Sequence, residues 1–369
     1  MDFTNDNFLW GSWRNAFFMP RPCMLNMNGS VAYYLDENDY SKKEDGTASD
    51  IADDTTSMNA MMEWGRDGQK IWYKIVPDSG DSTSYSVYIA NYKADSSYHA
   101  WSFYDSENIL KEHFYTPIYN GSIDTNGKLR SISGKTYSDL CQSKTVAQEI
   151  TAAELNNIGT DKGWYTEVFA DITLINFLLI LMSKSLATQE KFGYGRINQA
   201  SAVSSMIGSG TMNNKGLFWG SNGNNDGVKV FGMENYWANQ WRRYAGHWLI
   251  NNVNYYKMTR NTADGSTASD YSTSDTNVTT TWLNGGSSPT SNNYIRKMAA
   301  DSNSIFVNDI MNGGYLIAYS DYFFQNSGSR YAFRGGYCRY GRYCGAFYFL
   351  LNYNAGVTSW DIGAAPSYR

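Results

Sequence analysis

Charge is scarce in this 369-residue chain. Asp, Glu, Lys and Arg together make up 18% of it, and the formal net charge is −5. General nucleic-acid binding needs a basic face that neutralises phosphates, so this balance argues against that class. Histidine is scarcer still. His99, His113 and His247 are the only three, and no Cys/His spacing fits a zinc site. The four cysteines form no framework. Cys23 and Cys141 stand alone and read as buried thiols. Cys338 and Cys344 either pair across a tight loop or stay free, because spacing alone does not define a disulfide. Long apolar runs are missing too. The longest, Ile172–Met182, carries Thr173 and Asn176 and is too short to span a bilayer. It reads as a buried helix with Asp171 as N-cap, and no membrane insertion is expected. The opening Met1-Asp-Phe-Thr-Asn-Asp shows neither a basic n-region nor an apolar h-region, so synthesis in the cytoplasm is expected. No repeat of solenoid or propeller length recurs.

Aromatic residues are abundant. Phe, Trp and Tyr make up 16% of the chain, with 30 Tyr and 12 Trp. That is enough to fill a core and leave aromatic surface over, which fits an interaction protein better than a soluble metabolic enzyme. Residues 1–59 read as a β-rich extension with a solvated polar loop over 36–56. Residues 60–369 read as one ligand-binding domain. Ile71–Val76 and Tyr85–Tyr92 are β-branched and aromatic, with a turn cluster at Pro77–Gly80. Phe114–Ile123 and Lys128–Ile132 continue the strand pattern, with Asn126-Gly127 as a turn. Thr151–Ile158 has the spacing of a capping box, Thr151 with Glu154. Thr166–Leu186 is the main helix. Residues 196–230 are loop-rich, Trp237–Ile250 is core-like, and 261–293 is a polar insertion. The order of elements suits α+β.

The last forty residues interleave two kinds of side chain. Phe333, Gly335, Gly336, Gly345, Ala346, Phe347, Phe349, Leu351, Trp360, Ile362 and Gly363 look like strand interiors and tight turns. Tyr337, Arg339, Tyr340, Arg342, Tyr343, Tyr353 and Asp361 look like contact chemistry, since Tyr and Arg give large area and directed hydrogen bonds. Asn352, Asn354, Val357 and Ser359 join them as candidate ligand-binding positions. Lys, Glu, Gln and Met are absent from residue 330 onward, although the whole chain holds 14 Met. None of those four has a codon ending in C or T, whereas every candidate binding residue does. A mutator acting on adenines of Asn-type codons would leave this composition.

This segment resembles the variable region of diversity-generating retroelement proteins, in which a reverse transcriptase rewrites the C-terminal end of a ligand-binding protein. The matching pattern is Arg334-Gly335-Gly336, alternating variable and fixed positions, Gly345-Ala346-Phe347, then Ile362-Gly363. Gly232–Trp241 is similar to the family's Gly-Asn-x-Trp-x-Trp core segment. Asp171–Leu181, with Gln189 and Gly193-Tyr-Gly195 after it, is similar to its core helix and exit. Together these cover about residues 147–369. The stretch 60–135 looks like phage tail proteins, through Lys70–Lys74 and Phe114–Tyr119. The chain departs from the family in placing Tyr337-Cys338 where Trp usually follows, and in ending Gly363-Ala-Ala-Pro instead of Gly-Phe-Arg.

The resemblance implies a C-type-lectin-like fold of the formylglycine-generating-enzyme kind, with a variable region over about 330–369. It implies receptor recognition at a phage tail tip or fibre in the virion, with a host cell-surface protein or glycan as ligand. Other tail proteins and a homotrimer are the implied partners. Neither an enzymatic activity nor a cofactor is expected. A bacterial or prophage surface-display protein is the alternative.

Enzymes sharing the implied fold use cysteines near this end, and Arg339 and Arg342 are placed to lower the pKa of Cys338 or Cys344. A formylglycine-generating-type oxidase is therefore the alternative of another class. Asn222-x-Asn224-x-Asp226-Gly227 resembles the start of a calcium loop, but Met233 stands where the closing Glu belongs, so a polar turn is favoured. Asn120-Gly-Ser and Asn277-Val-Thr match glycosylation sequons by chance. Trp237, Trp241 and Trp248 read as core instead of a sugar platform. The Tyr/Arg cluster itself has a core-strand reading, which its charges oppose.

Overall fold

The computed structural model describes residues 20–221, 223, 227–258, 269, 271, 278–281, 291–311, 319 and 321–369. Among these, the chain is strand-rich with few helices. The main sheet has nine strands among the described residues. In order across the sheet they are Val278–Thr281, Val253–Lys257, Trp241–Ile250, Arg330–Arg334, Phe349–Leu351, Tyr322–Gln325, Ser291–Ala300 and Ile305–Met311, with Ile362–Gly363 lying parallel beside Trp241 and Arg242. A second sheet pairs Val31–Tyr34, Arg21–Asn26, Met58–Trp64 and Phe114–Pro117.

The expected boundary between residues 59 and 60 falls inside the strand Met58–Trp64. That strand pairs along its length with Arg21–Asn26. Met24, Leu35, Tyr40 and Ile51 share one continuous core with Trp64, Leu174 and Phe347. Residues 21–59 are therefore built into the body of the protein, because the apolar face of their hairpin has no other place to be buried. The expected strands at 71–76 and 85–92 form one hairpin, Trp72–Asp78 with Asp81–Ala90, closed by Gly80.

The main helix runs Phe169–Ser183 and is buried almost all round, as an apolar helix inside a core must be. It is shorter than the expected 166–186, and Val168, not Asp171, is its N-cap. Asp171 lies in the first turn, where its Oδ1 accepts from Nη2 of Arg369 at 2.5 Å. A second helix spans Val146–Glu154, earlier than the expected 151–158. Its capping box is Thr145 with Gln148: the Thr145 N–H donates to Oε1 of Gln148 at 2.9 Å, and the Gln148 N–H donates to Oγ1 of Thr145 at 3.3 Å. Thr151 sits mid-helix. Asn120 is buried, so its sequon is closed to a glycan in the folded chain, and Asn277 lies outside the described residues. Trp237, Trp241 and Trp248 are all core residues. No helix among the described residues is long and apolar enough to cross a membrane.

Candidate binding face

The C-terminal segment starts as a strand, Arg330–Arg334, antiparallel to Trp241–Ile250. Two consecutive glycines then turn it back. Gly335 and Gly336 both have left-handed φ, +81° and +79°, which an L side chain adopts only with strain. A Cβ on Gly336 would also lie 2.4 Å from Sγ of Cys344. The chain next makes a loop with a short 3₁₀ turn, Gly341–Tyr343, and re-enters the sheet as Phe349–Leu351. A second loop, 352–360, leads to Ile362–Gly363. The end is pinned. Pro366–Ser367 pairs with Tyr165–Thr166, and Nε of Arg369 donates to the Ser102 carbonyl at 2.9 Å.

Buried ions hold the framework. Arg334 donates to Oε1 of Glu167 at 2.5 Å, and Arg242 lies 3.5 Å from Oε2 of the same carboxylate. Burial and the neighbouring Arg334 push Arg242 down to about 10. Arg243 donates to Oε1 of Glu149 at 2.8 Å, to the Lys144 carbonyl at 2.7 Å, and to the Val357 carbonyl. Gly345 passes over Asp321: Oδ2 of Asp321 accepts from the Phe347 N–H at 2.5 Å, and a Cβ on Gly345 would lie 1.9 Å from Oδ1.

The two loops come together over Trp241. Its ring lies 4.3 Å from Tyr337, 5.0 Å from Tyr340 and 6.3 Å from Tyr353 between centroids. Tyr337 packs at a tilt against Tyr340 at 4.8 Å, and Tyr340 reaches Tyr343 at 6.2 Å. Tyr337, Tyr340, Tyr343 and Tyr353 are thus one contiguous aromatic group. Arg339, Tyr343 and Asn354 are exposed, while Tyr340, Arg342, Asn352, Tyr353, Val357 and Ser359 are half-buried.

Tyr337 and Asp361 are different: they are 5% and 8% exposed. The alternation of residue types places both on the surface. The Gly335-Gly336 turn instead folds Tyr337 down onto Trp241, and Asp361 is drawn under it by the parallel pairing of Ile362 with Trp241. Both belong to the floor of the face, not its rim. Arg342 leans to one side, with Cζ 4.7 Å from the centroid of Tyr194, and its carbonyl accepts from Nε2 of Gln189 at 3.1 Å. Asn354 closes its own turn by accepting from the Gly356 N–H at 2.9 Å, and Asn352 accepts from Asn326 at 3.2 Å.

Sequence reasoning missed two contributors. Tyr343 packs 4.4 Å from Tyr322 and 5.4 Å from Tyr294, so the aromatic surface continues onto two strands outside the C-terminal segment. Trp360, read as framework, sits 6.0 Å from Tyr337 at the loop edge.

Burial sets the titration of this region. It pushes Tyr340 up to about 12 and raises Tyr337 and Asp361 as well. The four cysteines are free and buried. Cys338 is pushed up to about 11 by burial, with Arg196, not Arg339 or Arg342, opposing it. Cys344 is raised well above the ordinary thiol value, and its Sγ donates to the Tyr337 carbonyl at 3.4 Å. Burial thus raises both thiols, against the lowering by Arg339 and Arg342 that the oxidase alternative invokes. The calcium candidate Asn222, Asn224 and Asp226 lies outside the described residues. No family model and no curated protein matches the chain.

Proposed function

We propose that this chain is a hypervariable ligand-binding protein of the diversity-generating retroelement kind. In this reading an α+β, C-type-lectin-like scaffold carries a diversified C-terminal face that recognises a host cell-surface protein or glycan. The setting is a phage tail tip or fibre, with homotrimeric assembly supplying avidity. One observation carries the reading. Within a single forty-residue segment, the backbone-setting residues are buried and bonded into the core, while the tyrosines gather over one aromatic floor. Gly335, Gly336, Gly345, Phe347 and Ile362 belong to the first set; Tyr340, Tyr343 and Tyr353 belong to the second. Such a division lets recognition change at little cost to folding, since surface substitutions usually shift stability by less than about 0.5 kcal/mol.

The flanking DNA tests this. A near-copy of the bases encoding residues 330–369, differing only at adenines and lying beside a reverse transcriptase gene, is expected. A coding region with no such copy in its genome refutes the retroelement part. Adsorption of the recombinant protein to host cells, lost on Tyr340→Ala with Tyr343→Ala, is the matching binding test.

A further inference from the structure

Four carboxylates that anchor the framework each have a cation. Glu167 has Arg334 at 2.5 Å, Glu149 has Arg243 at 2.8 Å, Asp171 has Arg369 at 2.5 Å, and Asp124 has Arg130 at 3.0 Å. Asp361 has none among the described residues. It is 8% exposed, and its Oδ1 is buried without a hydrogen-bond partner. Its other support is a hydrogen bond from Ser359. Asp321 is also buried with a bare Oδ1, but that oxygen is sealed under Gly345. Asp361 instead lies at the floor of the aromatic face, close enough to Tyr337, Tyr340 and Cys338 for its charge to act on all three.

We propose that Asp361 is the anchor for a cationic side chain, a lysine or arginine of a protein ligand, that enters the aromatic face between Tyr337, Tyr340 and Trp360. This rests on the reading of that face as the binding surface. The chemistry is complementary at two levels. A desolvated carboxylate lacking a donor gains most from a charge-assisted hydrogen bond. Aromatic rings attract a cation over their faces, and Tyr337 has Tyr340 at 4.8 Å and Trp360 at 6.0 Å. The Tyr340 ring is half-buried at this edge, packed against Trp241 at 5.0 Å and Tyr337 at 4.8 Å. Arg339 is a like charge at the rim that donates a hydrogen bond to the Tyr337 hydroxyl; being exposed, its charge is screened. Depth selects the donor. An oxygen with almost no exposed surface is reached only by a charge on a slim stem, which lysine and arginine have and the ring-borne amine of an amino sugar lacks. A metal ion would need further oxygen ligands, and no group of three acidic, His or Cys side chains is assembled among the described residues.

The test is a titration of the full chain with n-butylammonium and with n-propylguanidinium, followed by the Trp360 indole N–H resonance. n-Butanol serves as the neutral analogue and glucosamine as the sugar amine. The expected result is a saturable shift with at least one alkyl cation, none with butanol, and at least tenfold weaker binding to Asp361→Asn. The stronger cation identifies the side chain. Asp361→Asn should melt at or above the wild-type temperature, because an unpaired buried charge is removed; Asp361→Ser repeats both measurements should the first variant fold poorly. No cation response in the wild type, equal binding to the variants, an equal response to butanol, or a response to glucosamine alone would each overturn the proposal. A template copy beside a reverse transcriptase would leave the proposed function standing in any of those cases.

Discussion

Asn176, in the middle of the most apolar helix, donates from Nδ2 to the carbonyl of Ala346 at 2.9 Å. Its Oδ1 accepts from the Tyr236 hydroxyl at 3.2 Å. One amide thus joins the helix Phe169–Ser183, the Gly232–Trp241 stretch and the Gly345-Ala346-Phe347 turn, all inside the same core. The backbone under the aromatic face is fixed from below, by groups that make no contact with a ligand.

Asn176→Leu should therefore destabilise the protein although it makes the helix more apolar. The substitution leaves the Ala346 carbonyl and the Tyr236 hydroxyl buried without partners, at about 1–3 kcal/mol for each such group. Chemical denaturation measures it. A variant as stable as the wild type would mean that this amide does not hold the turn.

The framework and the face should respond oppositely to substitution. Gly345→Ala drives a Cβ into the Asp321 carboxylate, and Gly336→Ala drives one into Cys344 in a left-handed backbone. Each should cost about 1–3 kcal/mol or more. Tyr343→Ala and Arg339→Ala remove exposed side chains and should stay within about 0.5 kcal/mol of wild type. Melting curves of the four variants decide. A Gly345→Ala protein that melts like the wild type, beside a Tyr343→Ala protein that does not, would reverse the assignment of framework and face.

Much of this arrangement was legible in the sequence. The buried helix, the three core tryptophans and the glycine turns of the C-terminal segment follow from residue type. What failed did so where tertiary partners overrule local signals. Asp171 looks like an N-cap because it precedes an apolar run, yet Arg369, 198 positions away, takes its carboxylate. Tyr337 looks exposed because of its type, yet the paired glycines before it fold it onto Trp241. Tyr294 and Tyr322 join the face only through the sheet register that sets them opposite one another. No local pattern encodes that register. The residues before position 60 read as an extension because their strands are short, and their pairing with Met58–Trp64 is equally non-local.

Glu167 should matter more to stability than Arg334, although they are partners. Glu167→Gln leaves two buried guanidiniums, Arg334 and Arg242, without a counter-charge. Arg334→Met leaves Glu167 with Arg242 still beside it. Removing one partner of a buried pair costs about 3–5 kcal/mol, so the first variant should sit at or beyond that range and the second below it. Equilibrium unfolding of both gives the order. If Arg334→Met proves the worse of the two, Arg242 does not share the carboxylate.

His247 gives the pH dependence a defined sign. It is fully buried, with Nε2 3.1 Å from Oδ1 of Asn254 and Nδ1 2.8 Å from the Tyr244 hydroxyl. Nδ2 of Asn254 donates to Gln325 at 2.9 Å, which fixes Oδ1 toward the ring. Nε2 must then carry the proton, and Nδ1 accepts from Tyr244. Burial disfavours a second proton and pushes the imidazole down from 6.5 to about 4. The unfolded chain takes that proton near pH 6.5 and the folded chain does not, so the unfolded state binds more protons across the interval. Stability from this group therefore falls as pH drops from 6.5 toward 4, at about 1.4 kcal/mol per pH unit. Glu149 works the other way, since burial raises its folded pKa to about 7. The His247 contribution is best isolated against His247→Gln, whose amide can donate to Asn254 and accept from Tyr244 without titrating. Between pH 7 and pH 5, the wild type should lose about 2 kcal/mol relative to that variant in urea unfolding. An unchanged gap at the two pH values would mean that His247 is charged, or reached by water, in the folded protein.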